Sequence, residues 1–129
     1  MQNEMKHDDV AGAGNGFVDV FDTNGKLIRR VASHGNLNSP WGIAQSPSNF
    51  GALSNALLIG NFGDGRINAF GGEGRSHGQL RDSSNKPIVL DGLWSISFGG
   101  AADSDPGTLY FTSGPAGETG GLVGTLTPK

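Results

Sequence analysis

The chain repeats itself. Trp41-Gly42-Ile43 returns as Trp94-Ser95-Ile96, and Leu57-Leu58-Ile59 returns as Leu109-Tyr110-Phe111. Gly65-Arg66-Ile67-Asn68-Ala69-Phe70 has two partners, Gly16-Phe17-Val18-Asp19-Val20-Phe21 before it and Gly121-Leu122-Val123-Gly124-Thr125-Leu126 after it. The spacing is roughly fifty residues, long enough for one supersecondary unit that buries its apolar face only against a neighbour.

Within the repeat the apolar residues come in short runs separated by glycine-bearing turns. Gly16–Phe21 alternates, Asp22-Thr23-Asn24-Gly25 supplies a hairpin turn, and Lys26–Ala32 returns. Pro40–Ala44 reads as a buried strand, and Ala56–Asn61 is continuously apolar, as in a strand covered on both faces. Asp64-Gly65 turns the chain into Arg66–Phe70, and Gly78–Leu80 reads as a short outer strand. Leu93–Phe98, Leu109–Thr112 and Leu122–Leu126 complete the series, and no segment offers helical spacing. Four strands in each period of about fifty residues match the blade of a β-propeller. The expected fold is all-β, a partial β-propeller of about two and a quarter four-stranded antiparallel blades. Residues 1–129 form a single partial propeller domain: an N-terminal arm at 1–15, the end of one blade at 16–32, a complete blade at 38–81 and three strands of a final blade at 91–127. A closed ring needs more blades than this. The sequence therefore reads as part of a longer protein, or as a chain that closes a ring by joining copies of itself head to tail.

Composition narrows the function. Glycine supplies 23 of 129 residues with only 6 prolines, which suits many tight turns and lacks a collagen period. The net charge is −3, and no basic run extends beyond Arg29-Arg30, which disfavours nucleic acid as a partner. No apolar stretch is long enough for a membrane span, and Met1–Lys6 lacks the apolar core of a signal peptide. The absence of cysteine removes disulfides, thiolate metal sites and thiol catalysis.

Several runs resemble a known group. Leu37-Asn38-Ser39-Pro40-Trp41-Gly42-Ile43-Ala44 is similar to the opening strand of an NHL-type blade. His7–Asp22 and Leu58–Phe70 resemble a bacterial NHL-like family of uncharacterised propellers, some with exosortase-sorting tails. Asp91-Gly92-Leu93-Trp94 and Gly121–Pro128 resemble that family's closing region. The resemblance implies an exported six-bladed propeller, periplasmic or at the cell surface, with no established activity. This chain would correspond to its C-terminal part.

Candidate ligands are few. His7-Asp8-Asp9 offers imidazole and carboxylates to a divalent metal, although a solvated arm explains the same residues. Asp103-Ser104-Asp105 resembles the start of a calcium loop but lacks the glycine and terminal glutamate of an EF-hand, and Pro106-Gly107 points to a turn. Gly12–Gly16 and Gly71–Gly74 are not phosphate loops, because no helix follows them. No Gly-x-Ser-x-Gly nucleophile is present, and His34 and His77, each before a glycine, read as a repeated turn element. Trp41 and Trp94 invite a carbohydrate-binding reading, but their position on inner strands favours the core.

No catalytic or cofactor-binding residue is assigned, and calcium is the one cofactor the sequence leaves open. The expected function is a non-catalytic scaffold that binds protein or glycan partners through loops on one face. The alternative is part of a propeller hydrolase or lyase whose active site needs further blades, with acids such as Asp64 or Asp103 contributing.

Overall fold

The structure, a computed structural model, describes residues 2–7, 9–100 and 104–129. It is all-β, with three antiparallel sheets. The first is a hairpin of β1 (Phe17–Phe21) and β2 (Leu27–Ser33). The second holds four strands in the order β3 (Pro40–Gln45), β4 (Leu57–Asn61), β5 (Ile67–Phe70) and β6 (Ser76–Gln79). The third holds β7 (Leu93–Phe98), β8 (Leu109–Ser113) and β9 (Leu122–Leu126). Each is a simple meander joined by turns, as antiparallel neighbours require. The only helical geometry among the described residues is two short turns, Gly51–Leu53 and Pro115–Glu118.

The central sheet is covered on both faces, and its strands show why. Along β4, Leu58 points to one side and Leu57 and Ile59 to the other, so an unbroken apolar run supplies both faces. On one side Leu58, Ile67 and Ala69 meet Leu93, Ile96, Leu109 and Phe111 of the third sheet. On the other, Ile59 and Phe70 meet Val18, Ala32 and Leu37 of the hairpin and its following loop. Two separate cores thus join three sheets side by side.

Small residues set the spacing between the second and third sheets. A Cβ on Gly42 would lie 3.1 Å from Ile96 and 3.2 Å from the Trp94 carbonyl oxygen, and one on Gly60 would lie 2.9 Å from Leu93. β3 and β7 therefore run directly against each other, which places Trp41 and Trp94 at the same end of neighbouring strands.

The loops repeat their docking as well. The turn before β1 is bonded to the loop that opens the second sheet, and the turn before β5 to the loop that opens the third: Ser39 N–H donates to the Asn15 carbonyl at 3.0 Å, and Leu90 N–H donates to the Gly65 carbonyl at 2.8 Å. The hairpin is further held by Arg29, whose guanidinium donates to the Gly72 carbonyl. Its outward side carries a bidentate ion pair, with Arg30 donating to the Asp19 carboxylate at 2.7 and 2.9 Å. That hydrogen bond holds Asp19 below the usual aspartate range and Arg30 above its own.

Two expectations about side chains change. Trp41 is 54% exposed and Trp94 half-buried, so neither is a core residue. His34 and His77 do not share a role: His34 sits in a turn with φ of 57°, whereas His77 lies within β6 with its ring over Gly71.

Candidate functional site

The bulges explain the tryptophans. In the β3–β4 pair the register skips between Pro40 and Gly42, leaving Trp41 without an opposite residue; in the β7–β8 pair it skips between Leu93 and Ser95, leaving Trp94 unopposed. A bulge inserts one unpaired residue and re-aims its side chain. Both indoles are thereby turned away from the sheet-to-sheet core toward the loops at the starts of β3 and β7.

Each indole then finds a carboxylate. Trp41 Nε1 donates to Asp9 Oδ2 at 2.9 Å, and Trp94 Nε1 donates to Glu118 Oε1 at 2.7 Å. The carboxylates reach the equivalent indoles by different routes. Asp9 comes from the N-terminal arm, which is fixed by Gly12 N–H donating to Asn38 Oδ1 at 2.7 Å and by Gly14 N–H donating to the Leu37 carbonyl at 2.7 Å. Glu118 comes from the β8–β9 loop of the same sheet as Trp94. That loop holds Ala116 and Glu118 at φ of 55° and 65°, the left-handed region that non-glycine residues avoid. Ala116 N–H donating to Asp91 Oδ2 at 3.0 Å and Glu118 N–H donating to the Gly114 carbonyl at 3.1 Å offset that strain.

Phe62 extends the first indole into a ledge. Its ring centroid lies 5.7 Å from that of Trp41 at an interplanar angle of 33°. On the second indole, Gly114 replaces the phenylalanine; a Cβ there would lie 2.3 Å from Trp94 Cζ2, so the indole packs directly against the glycine. The result is an end of the molecule with two aromatic surfaces, one open and one half-covered, each rimmed by an acid. Aromatic faces stack on apolar ring surfaces or cations, and carboxylate oxygens accept hydrogen bonds from hydroxyls. Beside Asp9 lies a shallow hollow of about 190 Å³ lined by Asn15, Gly16, Phe17, Ser39 and Pro40.

The metal candidates from the sequence fall in different places. Asp8 and Asp103 lie outside the described residues. His7 is exposed, with its backbone N–H donating to Asn3 Oδ1 at 3.1 Å, and Asp9 holds Trp41. Asp105 closes a turn: its Oδ1 accepts from Gly107 N–H at 2.8 Å and its Oδ2 from the Thr108 hydroxyl at 3.3 Å. Among the described residues no three or more His, Cys, Asp or Glu side chains gather into a metal-binding group. Asp64 likewise serves its own turn, accepting from Asn61 Nδ2 and Arg66 N–H at 3.1 Å each.

The sequence reading missed Phe62 and Glu118, because nothing in their spacing marks them. It also missed a buried amide cluster around the Asn36 carbonyl. That oxygen accepts from Asn61 Nδ2 at 2.8 Å and Asn68 Nδ2 at 3.1 Å, and Gln79 Nε2 donates on to Asn68 Oδ1 at 3.0 Å. These amides bind the loop after the hairpin to the central sheet.

Comparison with known proteins places the chain beside a different group from the one the motifs suggested. It is 37% identical over 117 residues to "Uncharacterized protein R648" of Acanthamoeba polyphaga mimivirus, covering 91% of this chain and 28% of the relative. "Uncharacterized protein L690" of the same virus is 37% identical over 113 residues, covering 88% of this chain and 29% of that relative. "Uncharacterized protein R640" is 35% identical over 102 residues, covering 79% of this chain and 19% of that relative. The chain thus spans less than a third of the length of these relatives. No family model and no solved structure matches it. The resemblance to a bacterial NHL-like family is corrected accordingly: the relatives are viral, and the runs that suggested the family, His7–Asp22 and Leu58–Phe70 among them, are rich in the turn and strand residues that sheet repeats share. Export, which was drawn from that family, has no support from these relatives. No helix among the described residues is long and apolar enough to cross a membrane.

Proposed function

We propose that the chain is a non-catalytic binding scaffold, a section of a propeller-like array of sheets that presents the Trp41–Phe62 ledge and the Trp94–Glu118 loop to a glycan or protein partner. The exposure of Trp41 carries the reading. A residue of that size at 54% exposure forgoes about 1–2 kcal/mol of burial that a core position would give it. A bulge repeated at the equivalent indole, and a strained loop that delivers Glu118, hold both rings at the same rim. Tryptophan is among the side chains enriched at the positions that dominate binding energy.

The propeller-like reading draws support from the meander order of the sheets, from β3 and β7 lying against each other, and from the repeated loop docking. An array of glycans and immobilised proteins, probed with the 129-residue chain, tests the function. Trp41→Ala should lower affinity for the captured ligand at least about tenfold, the loss expected for one aromatic anchor, with the unfolding midpoint little changed. A hydrolase panel run beside the array decides against the scaffold if it detects turnover that Asp64→Asn abolishes.

A further inference from the structure

The third sheet departs from the repeat at one turn. In the central sheet residues 62–66 join β4 to β5, and the one positive φ among them belongs to Gly65. In the third sheet residues 114–121 join β8 to β9, three residues longer, and Ala116, Gly117 and Glu118 take φ of 55°, 65° and 65° in succession. A glycine fills the demanding position of the short turn, whereas an alanine and a glutamate fill two of the three in the long one. In repeat proteins such insertions map to loops on one face, often the binding face. Strain of this kind persists only where surrounding contacts hold it.

Here those contacts are few and polar. Residues 116–121 are all exposed, and a Cβ added at Gly117 or Gly121 would meet nothing. No apolar side chain of the loop enters either core. Among the described residues, two side-chain hydrogen bonds tie its tip to the rest of the molecule: Trp94 Nε1–H donates to Glu118 Oε1 at 2.7 Å, and Ala116 N–H donates to Asp91 Oδ2 at 3.0 Å. The others stay within the loop, from Glu118 N–H to the Gly114 carbonyl, from the Thr119 hydroxyl to the Ala116 carbonyl, and from Gly120 N–H to the Pro115 carbonyl. The base is firm by contrast: Gly114 is buried against Trp94 and donates its N–H to the Gly92 carbonyl at 2.8 Å. A segment with exposed hydrogen bonds and no buried apolar contact opens at far lower cost than the sheet that carries it.

We infer that residues 115–121 are a strap over Trp94, held closed by Glu118 and Asp91, that opens as one unit between Gly114 and Gly120-Gly121. The inference rests on the reading of this rim as a binding surface. Opening relieves the backbone of Ala116 and Glu118. It also frees the indole N–H and the Asp91 carboxylate, a donor and an acceptor beside an aromatic face. In the closed strap Glu118 takes the place that an acceptor oxygen of a partner would take on the indole, so a partner that reads this N–H must displace it.

Hydrogen exchange of the 129-residue chain, followed by NMR, tests the strap without any partner. The Trp94 indole N–H and the amides of Ala116 and Glu118 should share one protection factor, at least about a hundredfold below that of the β8 amides. Glu118→Ala should strip the indole of protection and lower that of Ala116 about tenfold, the effect of losing a hydrogen bond to a charged group, with β8 unchanged. Glu118→Gln keeps an acceptor oxygen and should restore most of the protection. Ala116→Gly should act in the opposite sense and raise all three about fivefold, because glycine takes a positive φ without the steric penalty. In a Trp41→Phe background Trp94 is the sole tryptophan, and acrylamide should quench its fluorescence more efficiently once Glu118→Ala is added. Exchange of the three protons only together with β8, unequal protection among them, or unchanged quenching in a folded Glu118→Ala variant would overturn the strap. An empty glycan and protein array would instead count against the binding reading alone.

Discussion

A methyl group added to Gly65 would lie 2.3 Å from the carbonyl oxygen of Leu90, in a residue already at φ of +66°. The backbone of one turn here touches the backbone of the next loop, and only hydrogen fits between them. Gly25, at φ of +82°, has the same conformational demand but open space around its α-carbon. The pair separates two costs. Gly25→Ala should destabilise by about 1–2 kcal/mol, the left-handed penalty alone. Gly65→Ala should cost at least about 3 kcal/mol, because the loop holding Leu90 must also move. Denaturant midpoints of the two variants measure the difference. The tryptophans teach the complementary lesson. Their equivalence was legible in the letters, but the bulge that turns them outward depends on which residues of two strands face each other. That register is set by the turns and by Gly42 against Ile96, and an alternating pattern of one strand does not record it.

Elements were more legible than side chains. Nine strand signals became the nine strands found among the described residues, many of them bounded by residues whose backbone preferences stop a strand: Asn24-Gly25, Asp64-Gly65, Gly99-Gly100, Gly120-Gly121. β6 was the least distinct: Ser76-His77-Gly78-Gln79 is polar and short, and it begins two residues earlier than its glycine suggested. The double-sided burial of β4 was readable for a physical reason. A half-exposed strand alternates, and Leu57-Leu58-Ile59 does not. Leu58→Ala should therefore destabilise by about 2–5 kcal/mol, as loss of a fully buried side chain does, whereas Val123→Ser on the outer face of the third sheet should stay within about 0.5 kcal/mol. Thermal unfolding of the two variants gives the comparison; similar losses would mean that the outer face is covered. The Trp94–Glu118 contact was the hardest to foresee, since it depends on Ala116 and Glu118 adopting backbone angles that their residue types disfavour.

For the whole molecule, stability is graded from the middle outward. The central sheet has a core on each side, while the hairpin and the third sheet each have one. Native-state hydrogen exchange should find the amides of β4 and β5 slowest, with β1 and β9 opening first. Uniform protection across all nine strands would show instead that the three sheets unfold as one unit. The domain-level reading was the least secure: runs such as His7–Asp22 and Leu58–Phe70 pointed to a bacterial family, but similarity over 117 residues lies with a protein of Acanthamoeba polyphaga mimivirus. Short runs of glycine, aspartate and aliphatic residues are what any turn-rich sheet repeat must contain, so they carry information about shape more than about descent.

The two separate cores have a consequence for inheritance. Each sheet depends on its immediate neighbours: Gly42 and Gly60 let the second and third sheets approach, and the loop bonds at Asn15 and Gly65 tie each sheet to the next. Duplication or loss of one whole period in a gene therefore disturbs the junction at that point and leaves the others in place. Lineages of such genes can grow and shrink in whole units while selection acts separately on the loops at the rim.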